Sequence, residues 1–383
     1  MMKITGVLVD MLVQLAPELY GPCVVFEKGK KTLYVEVLRA IYGLLQAALL
    51  WYNKFKEDLE SQGFKFNRYD PCVANRVVKS AQHTVVFHVD DLKSSHEDPK
   101  VNDDFAKWLE QTYGKQGKVK INRGKVHEYL GMKLDFSVRG KLKVDMRDYV
   151  KEMLESFPIT LSKNDVALTP ASEDLFGQKE TTAPKLDKEK AEAFHTTTAQ
   201  GLFLTKRARP DISTCIAYLC TQVKEPDTDD WEKLLRLMKY LNGTRDMVLM
   251  LSADALNILK WYVDASFAVH ADFKSHTGSV MSMGKGAITT ISRKQKLNTK
   301  SSTTAELVGA DDISTMMLWT KLFMEEQGYP IKENILYQDN KSEILLEKNG
   351  RKSAGKQSRA INVRYFFIAD QVKTEYKGDI LSN

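Results

Sequence analysis

Three acidic residues in the last third of the chain have the types and placement for metal chemistry. Asp264 lies within the strand-like segment "KWYVDASF", Glu306 lies one turn into a long helical pattern, and Asp339 ends "ILYQD". Strand ends and helix starts are rigid supports for a site. Converging carboxylates without a Cys or His cluster favour a hard cation such as Mg²⁺, and two such ions can promote phosphodiester hydrolysis. Taken singly, each acid is explained as well by a surface charge or a cap.

A second acidic group follows a run of β-formers, "TVVFHV", at Asp90 and Asp91. Adjacent negative charges repel, so the arrangement needs a cation, a hydrogen-bonding turn or full solvation. A solvated turn after a strand is the simpler alternative, since Asp is frequent at such positions.

The elements around the first three acids predict an α/β domain with a mixed sheet from residue 257 onward. Strand-like segments are "ILKWYVDASF", "TGSVMSMGKGAITTIS" and "ENILYQD". A long helical pattern, "TAELVGADDISTMMLWTKLFMEEQGY", precedes the last of them, which gives a β-β-β-α-β order. The helix has several candidate caps: Ser301, Ser302, Thr303 and Thr304.

Residues 1–158 alternate helical and strand-like patterns, which predicts an α+β part of a multidomain chain. A long amphipathic helix should end at Gly63, followed by strands in "DPCVANRVVK" and "HTVVFHVDD". "NDDFAKWLEQTYG" predicts a helix capped by Asn102 or Asp103, and "SVRGKL" predicts a hairpin turn.

The composition of residues 158–194 predicts a linker, because Pro, Ser, Thr and charged residues dominate it. Two helices should follow, in "DISTCIAYLCTQV" and "DWEKLLRLMKYLNGT". His195, His270 and His276 lie in different segments and show no ligand spacing.

Composition sets broad limits on the class of protein. The chain has 383 residues, 43% of them apolar and 28% charged, which predicts a soluble globular protein of two or three domains. The excess of 56 basic over 50 acidic residues is compatible with a polyanionic partner. No apolar run has the length of a membrane span, and the four cysteines lack paired metal spacing. We therefore expect an intracellular protein, cytoplasmic or nuclear, with no membrane partner.

Several segments, in order, resemble the Pol polyprotein of copia-type long-terminal-repeat retrotransposons. "WYVDASF", "KQKLNTKSSTTAELVGA" and "LYQDNKSEILL" resemble its ribonuclease H domain. "LRAIYGLLQAALLWYNKF", "FHVDDLKSS" and "YLGMKLDF" resemble the second half of its reverse transcriptase. The resemblance implies three parts: a partial reverse transcriptase palm and thumb (1–158), a linker and helical connection (159–256) and a ribonuclease H-like domain (257–383).

The resemblance also implies roles for individual residues. Asp90 and Asp91 correspond to the acidic pair at the tip of a polymerase palm hairpin, and Gln46 to the nucleotide pocket. Asp264, Glu306 and Asp339 correspond to the ribonuclease H metal ligands, with Mg²⁺ or Mn²⁺ as the cofactor for both sets. Contacts to an RNA–DNA hybrid or another nucleic acid are expected from a set of basic residues: Lys93, Arg293, Lys294, Lys296 and Lys300.

Departures from the family pattern qualify these expectations. His88 stands where the family usually has Tyr, Ala48 and Leu49 replace its Pro-Arg, and Asp10 lacks the motif of its upstream metal-binding Asp. The family's fourth ribonuclease H acid has no counterpart before the last residue. We therefore expect no polymerase activity and weak or absent ribonuclease H activity. The alternatives are a non-catalytic nucleic-acid-binding or decayed remnant of a transposable element, and an unrelated Mg²⁺ phosphotransferase.

Overall fold

The computed structural model describes residues 2–36, 45–177, 183–342 and 344. The chain divides into two compact units: the first comprises Met1–Phe66 and Ala74–Ser94, and the second comprises Asn67–Val73 and Ser95–Asn383. No helix among the described residues combines the length and apolar character that a membrane crossing requires.

The first unit contains two small sheets, of order β1-β3-β2 and β4-β5-β6-β7, among its described residues. Its helices and strands, two of which extend one residue beyond the unit, are β1 (Met2–Thr5), α1 (Val7–Leu15), α2 (Pro17–Tyr20), β2 (Val24–Glu27), β3 (Lys30–Val35), α3 (Leu45–Ser61), β4 (Lys65–Phe66), β5 (Val73–Val78), β6 (Ala81–His88) and β7 (Asp91–Ser95).

Helix α3 packs its aromatic face on the β4–β7 sheet. Phe55 and Phe87 are buried and meet edge to face with ring centroids 5.0 Å apart, and Trp51 stacks on Phe55 at 5.1 Å. Gly63 follows the helix end with φ of 82°, a conformation that glycine adopts without steric cost. The predicted helix end and the two strands that follow it are confirmed.

The second unit contains a five-stranded antiparallel sheet, a group of helices and a four-stranded mixed sheet. Its described helices and strands are α4 (Pro99–Tyr113), β8 (Val126–Tyr129), β9 (Met132–Asp135), β10 (Lys141–Asp145), α5 (Arg147–Ser156), α6 (Lys188–Thr205), α7 (Ser213–Gln222), α8 (Thr228–Gly243), β11 (Leu249–Ala253), β12 (Ile258–Ser266), β13 (His276–Ser282), β14 (Gly284–Lys285), β15 (Thr289–Lys294), α9 (Ser302–Glu326) and β16 (Glu333–Tyr337).

The predicted cap of α4 is wrong. The helix begins at Pro99, and the side chain of Asp98 accepts a hydrogen bond from the backbone N–H of Lys100 at 2.9 Å. Proline at the first helical position needs no N–H partner, so the helix starts one turn earlier than the apolar pattern indicated. Asn102 lies inside the helix and is buried.

The predicted linker is wrong over its last part, because α6 begins at Lys188. Asp187 caps this helix by accepting from the N–H of Lys190 at 2.9 Å, and Phe194 and Leu204 are fully buried on its inner face. The first turns carry Lys and Glu, which are good helix formers as well as common linker residues. Charge density alone therefore did not distinguish a helix from a linker.

One hydrophobic core joins segments on both sides of residue 158. Val144 and Met153 pack in the same cluster as Phe194, Ile216 and Leu237. Strand β10 pairs with β11, whose other edge pairs with β14. The limits 158 and 256 describe family domains and stay predictions, since packing joins the residues on either side of them.

The last sheet has the order β15-β13-β12-β16, with α9 packed across it. Strand β12 is antiparallel to β13 and parallel to β16. Trp261 and Leu336 from the sheet pack against Ile313 and Met317 of α9. The predicted mixed α/β organisation of this part is confirmed.

Candidate metal centre

The parallel pairing of β12 and β16 determines where Asp264 and Asp339 lie. Tyr262 is opposite Tyr337 in the register, and each acid comes two residues later along its own chain. Side chains two residues apart in an extended chain point the same way. Both carboxylates therefore emerge at the same end of the sheet, and both residues are exposed.

Helix α9 brings Glu306 to that end of the sheet. Ser301 caps the helix by accepting from the N–H of Thr304 at 3.2 Å, which confirms one of the four predicted caps. Glu306 follows in the first turns and is buried, with 6% of its surface exposed. Gly309, the next residue on this face, lies over β12, where a Cβ would make an ordinary van der Waals contact with that of Ala265 at 3.5 Å.

The three carboxylates converge. Asp264, Glu306 and Asp339 each offer one oxygen, and these oxygens all lie within 4.8 Å of one another. The side-chain amide of Gln338 donates to Oε2 of Glu306 at 3.1 Å. The backbone N–H of Ala265 donates to the same carboxylate. The sequence placed the three acids on separate elements, and the fold brings them together.

Glu306 carries the electrostatic signature of this convergence. The pKa of Glu306 is raised to about 7, chiefly by burial and also by the negative charges of Asp264 and Asp339, against the hydrogen bonds from Gln338 and Ala265. A pKa raised in this way means that the ionised cluster lacks a compensating positive charge. A bound cation would supply that charge.

The donor set matches a hard divalent cation. All three candidate ligands are carboxylates, and oxygen ligands suit Mg²⁺ or Mn²⁺, whereas Cys and His suit zinc. Over the residues that the structure describes, this is the one group of three or more His, Cys, Asp or Glu side chains close enough to share an ion.

Asp90 and Asp91 lie at the tip of the β6–β7 hairpin, where the sequence placed them. Both are exposed, and Val89, before them, has φ of 51° in the tight turn. Asp10 lies on α1 and pairs with Lys31 at 2.6 Å, as a surface acid would. Among described residues, no third acid or histidine joins the hairpin pair in a metal-binding group.

The predicted basic residues fall into two kinds. Arg293 pairs with Asp312 at 2.6 Å, and Lys294 pairs with Asp272 at 2.8 Å, so both are already engaged within the fold. Three others differ in exposure: Lys296 and Lys300 are exposed, whereas Lys93 is half-buried. Burial lowers the pKa of Lys93.

Two predicted features lie partly or wholly outside the described residues. The backbone of Gln46 belongs to α3, but its side chain is not described. A second basic run of the sequence, "GRKSAGKQSR", which we also expect to face nucleic acid, lies outside the described ranges altogether.

Sequence reasoning missed two arrangements. Gln338, buried beside Glu306, has no sequence signal apart from its position before Asp339. The second arrangement is a contact between two histidines: Nε2 of His270 lies 3.1 Å from Nδ1 of His276. The six-residue separation across a loop gave no ligand pattern, and pairing of β12 with β13 brings the two rings together.

Comparison with known proteins identifies the class. Residues 19–172 match the family described as reverse transcriptase (RNA-dependent DNA polymerase). The chain is 29% identical over 362 residues to the retrovirus-related Pol polyprotein from transposon TNT 1-94 of Nicotiana tabacum, an alignment that covers 91% of this chain and 26% of that protein. It is 28% identical over 260 residues to the putative transposon Ty5-1 protein YCL074W of Saccharomyces cerevisiae, covering 68% of this chain and 81% of that protein.

These matches confirm the resemblance found in the sequence: the chain is similar over 91% of its length to a retrotransposon Pol polyprotein, and residues 19–172 match a reverse transcriptase family. It spans about a quarter of the length of the tobacco relative. Among solved structures, a foamy virus protease–reverse transcriptase aligns with a TM-score of 0.49 and 11% identity, covering 94% of this chain and 52% of that one.

Proposed function

We propose that the β12–β16 domain hydrolyses the RNA strand of RNA–DNA hybrids with Mg²⁺ or Mn²⁺ bound at Asp264, Glu306 and Asp339. The observation that supports this proposal is the convergence of three carboxylates, with one oxygen from each within 4.8 Å of the others. One of them, Glu306, is buried and has a pKa raised to about 7. The order of elements and the similarity to retrotransposon Pol proteins agree with it.

The three carboxylates differ in burial, and we assign their roles accordingly. Asp264 and Asp339 are exposed, so their carboxylates are accessible to a substrate, whereas Glu306 is buried and contributes its carboxylate from the inner side of the site. At neutral pH the Glu306 carboxyl group holds a proton in part of the molecules, and it gives up that proton when it becomes a ligand. The chemistry that bound Mg²⁺ supplies is activation of water and stabilisation of the leaving oxygen in phosphodiester hydrolysis.

Exposed lysines in the segment that leads into α9 favour a polyanionic substrate. Lys296 and Lys300 lie in the segment between β15 and α9, and neither pairs with an acid in the described part of the chain. Lysines in such positions hold backbone phosphates without reading base sequence. Arg293 and Lys294 are the weaker candidates, because each would have to leave an ion pair.

For the first 158 residues we propose the palm and thumb part of an RNA-directed DNA polymerase. The hairpin carrying Asp90 and Asp91 supports this assignment, since its exposed tip could hold a metal ion for nucleotide transfer. Gln46 belongs to the proposed nucleotide pocket, and Lys93 to the proposed nucleic-acid contacts. Since we expect no polymerase activity from this chain, primer extension on an RNA template should give no product, and extension that is lost in Asp90→Asn would contradict that expectation.

The proposed hydrolysis is tested with a labelled RNA–DNA hybrid. Wild type should cleave the RNA strand slowly with Mg²⁺ or Mn²⁺ and not with EDTA, and Asp264→Asn should abolish this cleavage. Asp254→Asn is the matched control, because Asp254 is an exposed acid of the same region outside the cluster. Hybrid binding without any cleavage would replace this proposal with a non-catalytic nucleic-acid-binding function.

A further inference from the structure

We propose that Gln338 is a positioning residue that holds Glu306 and Asp339 in one fixed geometry. This inference rests on the proposed metal centre and adds a residue to it that touches neither substrate nor metal. Gln338 directly precedes Asp339 and has 2% of its surface exposed.

The side-chain amide of Gln338 uses both of its ends. Its Nε2 donates to Oε2 of Glu306 at 3.1 Å, and its Oε1 accepts from the backbone N–H of Asp339 at 2.8 Å. Oε1 also accepts from the N–H of Asn340 at 3.2 Å. The orientation of the amide follows from its partners, because a carboxylate requires a donor and two N–H groups require an acceptor.

These hydrogen bonds link the main chain of Asp339 with the side chain of Glu306, which no strand pairing joins. Strand β16 ends at Tyr337, so Asp339 lies beyond the last ladder hydrogen bond that could fix its backbone. The two N–H groups that Gln338 accepts from are those of Asp339 and the residue after it. Gln338 therefore fixes the direction of the Asp339 main chain and one oxygen of Glu306 at the same time.

Burial makes this link strong. A hydrogen bond to an ionised group in a site of low dielectric is stronger than one in water, and its loss removes one of the two protein donors described for the Glu306 carboxylate. Partners that orient metal ligands typically affect metal affinity or activity 10- to 100-fold when they are removed. We expect an effect of this size for Gln338.

The test replaces Gln338 with Met, which has a similar length and volume but neither donates to Glu306 nor accepts from the Asp339 N–H. Gln327→Met is the matched control: Gln327 is also buried, but it lies at the far end of α9. Mg²⁺ affinity is measured without substrate, by calorimetric titration and by the Mg²⁺ dependence of the melting temperature. We expect roughly 10- to 100-fold weaker Mg²⁺ binding in Gln338→Met and unchanged binding in Gln327→Met.

Hybrid cleavage then gives a second readout. In Gln338→Met, kcat at low Mg²⁺ should fall while KM for the hybrid changes less than twofold, and saturating Mg²⁺ should restore most of kcat. A residue that only supports packing would not show this recovery. Gln338→Asn, which retains an amide too short to reach both partners, should behave in the same way and replaces Gln338→Met if that variant does not fold.

The outcomes separate this inference from the proposed function. Wild type that binds no Mg²⁺ would overturn the metal centre itself. Wild type that binds Mg²⁺, with equal affinity in folded Gln338→Met or Gln338→Asn, would overturn the positioning role and leave the metal centre intact.

Discussion

The rings of Tyr262 and Tyr337 stack on neighbouring parallel strands, with centroids 4.8 Å apart and planes 10° from parallel. The two residues are partners in the β12–β16 register, and Asp264 and Asp339 each follow two residues later. The stacked pair therefore stabilises the register on which the separation of the two acids depends. A shift by one residue would turn one acid to the other face of the sheet.

Removal of this stack should weaken both the domain and its metal centre. We expect Tyr337→Ala to lower the free energy of unfolding by about 1 kcal/mol beyond the loss of buried area, the usual contribution of an aromatic pair. Mg²⁺ should also bind more weakly, because Asp339 is less well fixed. Urea unfolding with and without Mg²⁺ measures both effects, and Tyr329→Ala, at an exposed tyrosine outside the stack, is the control. Equal Mg²⁺ affinity in wild type and Tyr337→Ala would contradict the link to the site.

The raised pKa of Glu306 predicts how stability depends on pH without metal. The folded-state pKa of about 7 lies above the ordinary value of 4.5, so the folded state holds the proton more tightly than the unfolded state. Ionisation of Glu306 therefore costs stability, and the free energy of unfolding should fall by up to about 3 kcal/mol as pH rises from 4.5 through 7. Urea unfolding in EDTA, with Glu306→Gln as the comparison, measures this contribution.

Mg²⁺ should change that dependence. Since the ion binds the ionised carboxylate, its affinity should rise as pH increases through 7, and saturating Mg²⁺ should recover stability at pH 8. If the difference between wild type and Glu306→Gln were independent of pH, Glu306 would not be the group that titrates.

Limited proteolysis tests the segment between α5 and α6. Residues 159–177 and 183–187 contain no helix or strand apart from an isolated bridge at Lys185, and Leu168 has 95% of its surface exposed. The first cuts should therefore fall within 159–190, in the part before Leu175, which is buried in the core. Mass spectrometry of early trypsin fragments identifies them, and first cuts within 257–345 would contradict the prediction.

How much the sequence could predict depended on how local the signal was. The strand and helix that carry Asp264 and Glu306 were clear because each has its own apolar periodicity and, for the helix, a local cap at Ser301. The convergence of the acids is consistent with the β-β-β-α-β order but depends on strand register, which no short segment encodes. Motif resemblance supplied what periodicity could not.

Two failures share a physical cause, which is that tertiary contacts determined the outcome, whereas the missed cap of α4 had a local signal in Asp98 and Pro99. The start of α6 has the composition of a linker, but it is helical because Phe194 and Leu204 of the same helix are buried in the core. Gln338 looked like an ordinary residue before Asp339, and its importance arises from Glu306, 32 positions away in the chain. Single-sequence patterns carry no information on such partners.

The His270–His276 pair predicts a second pH effect, opposite in sign to that of Glu306. The pKa of His276 is lowered to about 4, chiefly by burial and also by the nearby His270. Burial also lowers the pKa of His270, and Lys294 and Lys274 lower it further against the opposing effect of Asp272.

Both rings are therefore neutral in the folded protein at a pH where they are charged in the unfolded chain. The unfolded state binds more protons between pH 6.5 and 4, so stability should be lost as pH falls through this range. Phe176 packs on both rings with centroids 4.7 Å away, and protonation would place charge against this apolar face. We expect acid to release the contact between Phe176 and the β12–β13 loop before the domain unfolds as a whole.

The comparison variant is His276→Asn, because Asn keeps a polar side chain but does not titrate. The difference in free energy of unfolding between wild type and this variant cancels the contribution of Glu306, which both proteins share. That difference should decrease steadily from pH 7 to pH 4, and trypsin cleavage at Lys185 should accelerate over the same range in wild type. A difference that stays constant with pH would mean that the two histidines do not titrate as a buried pair.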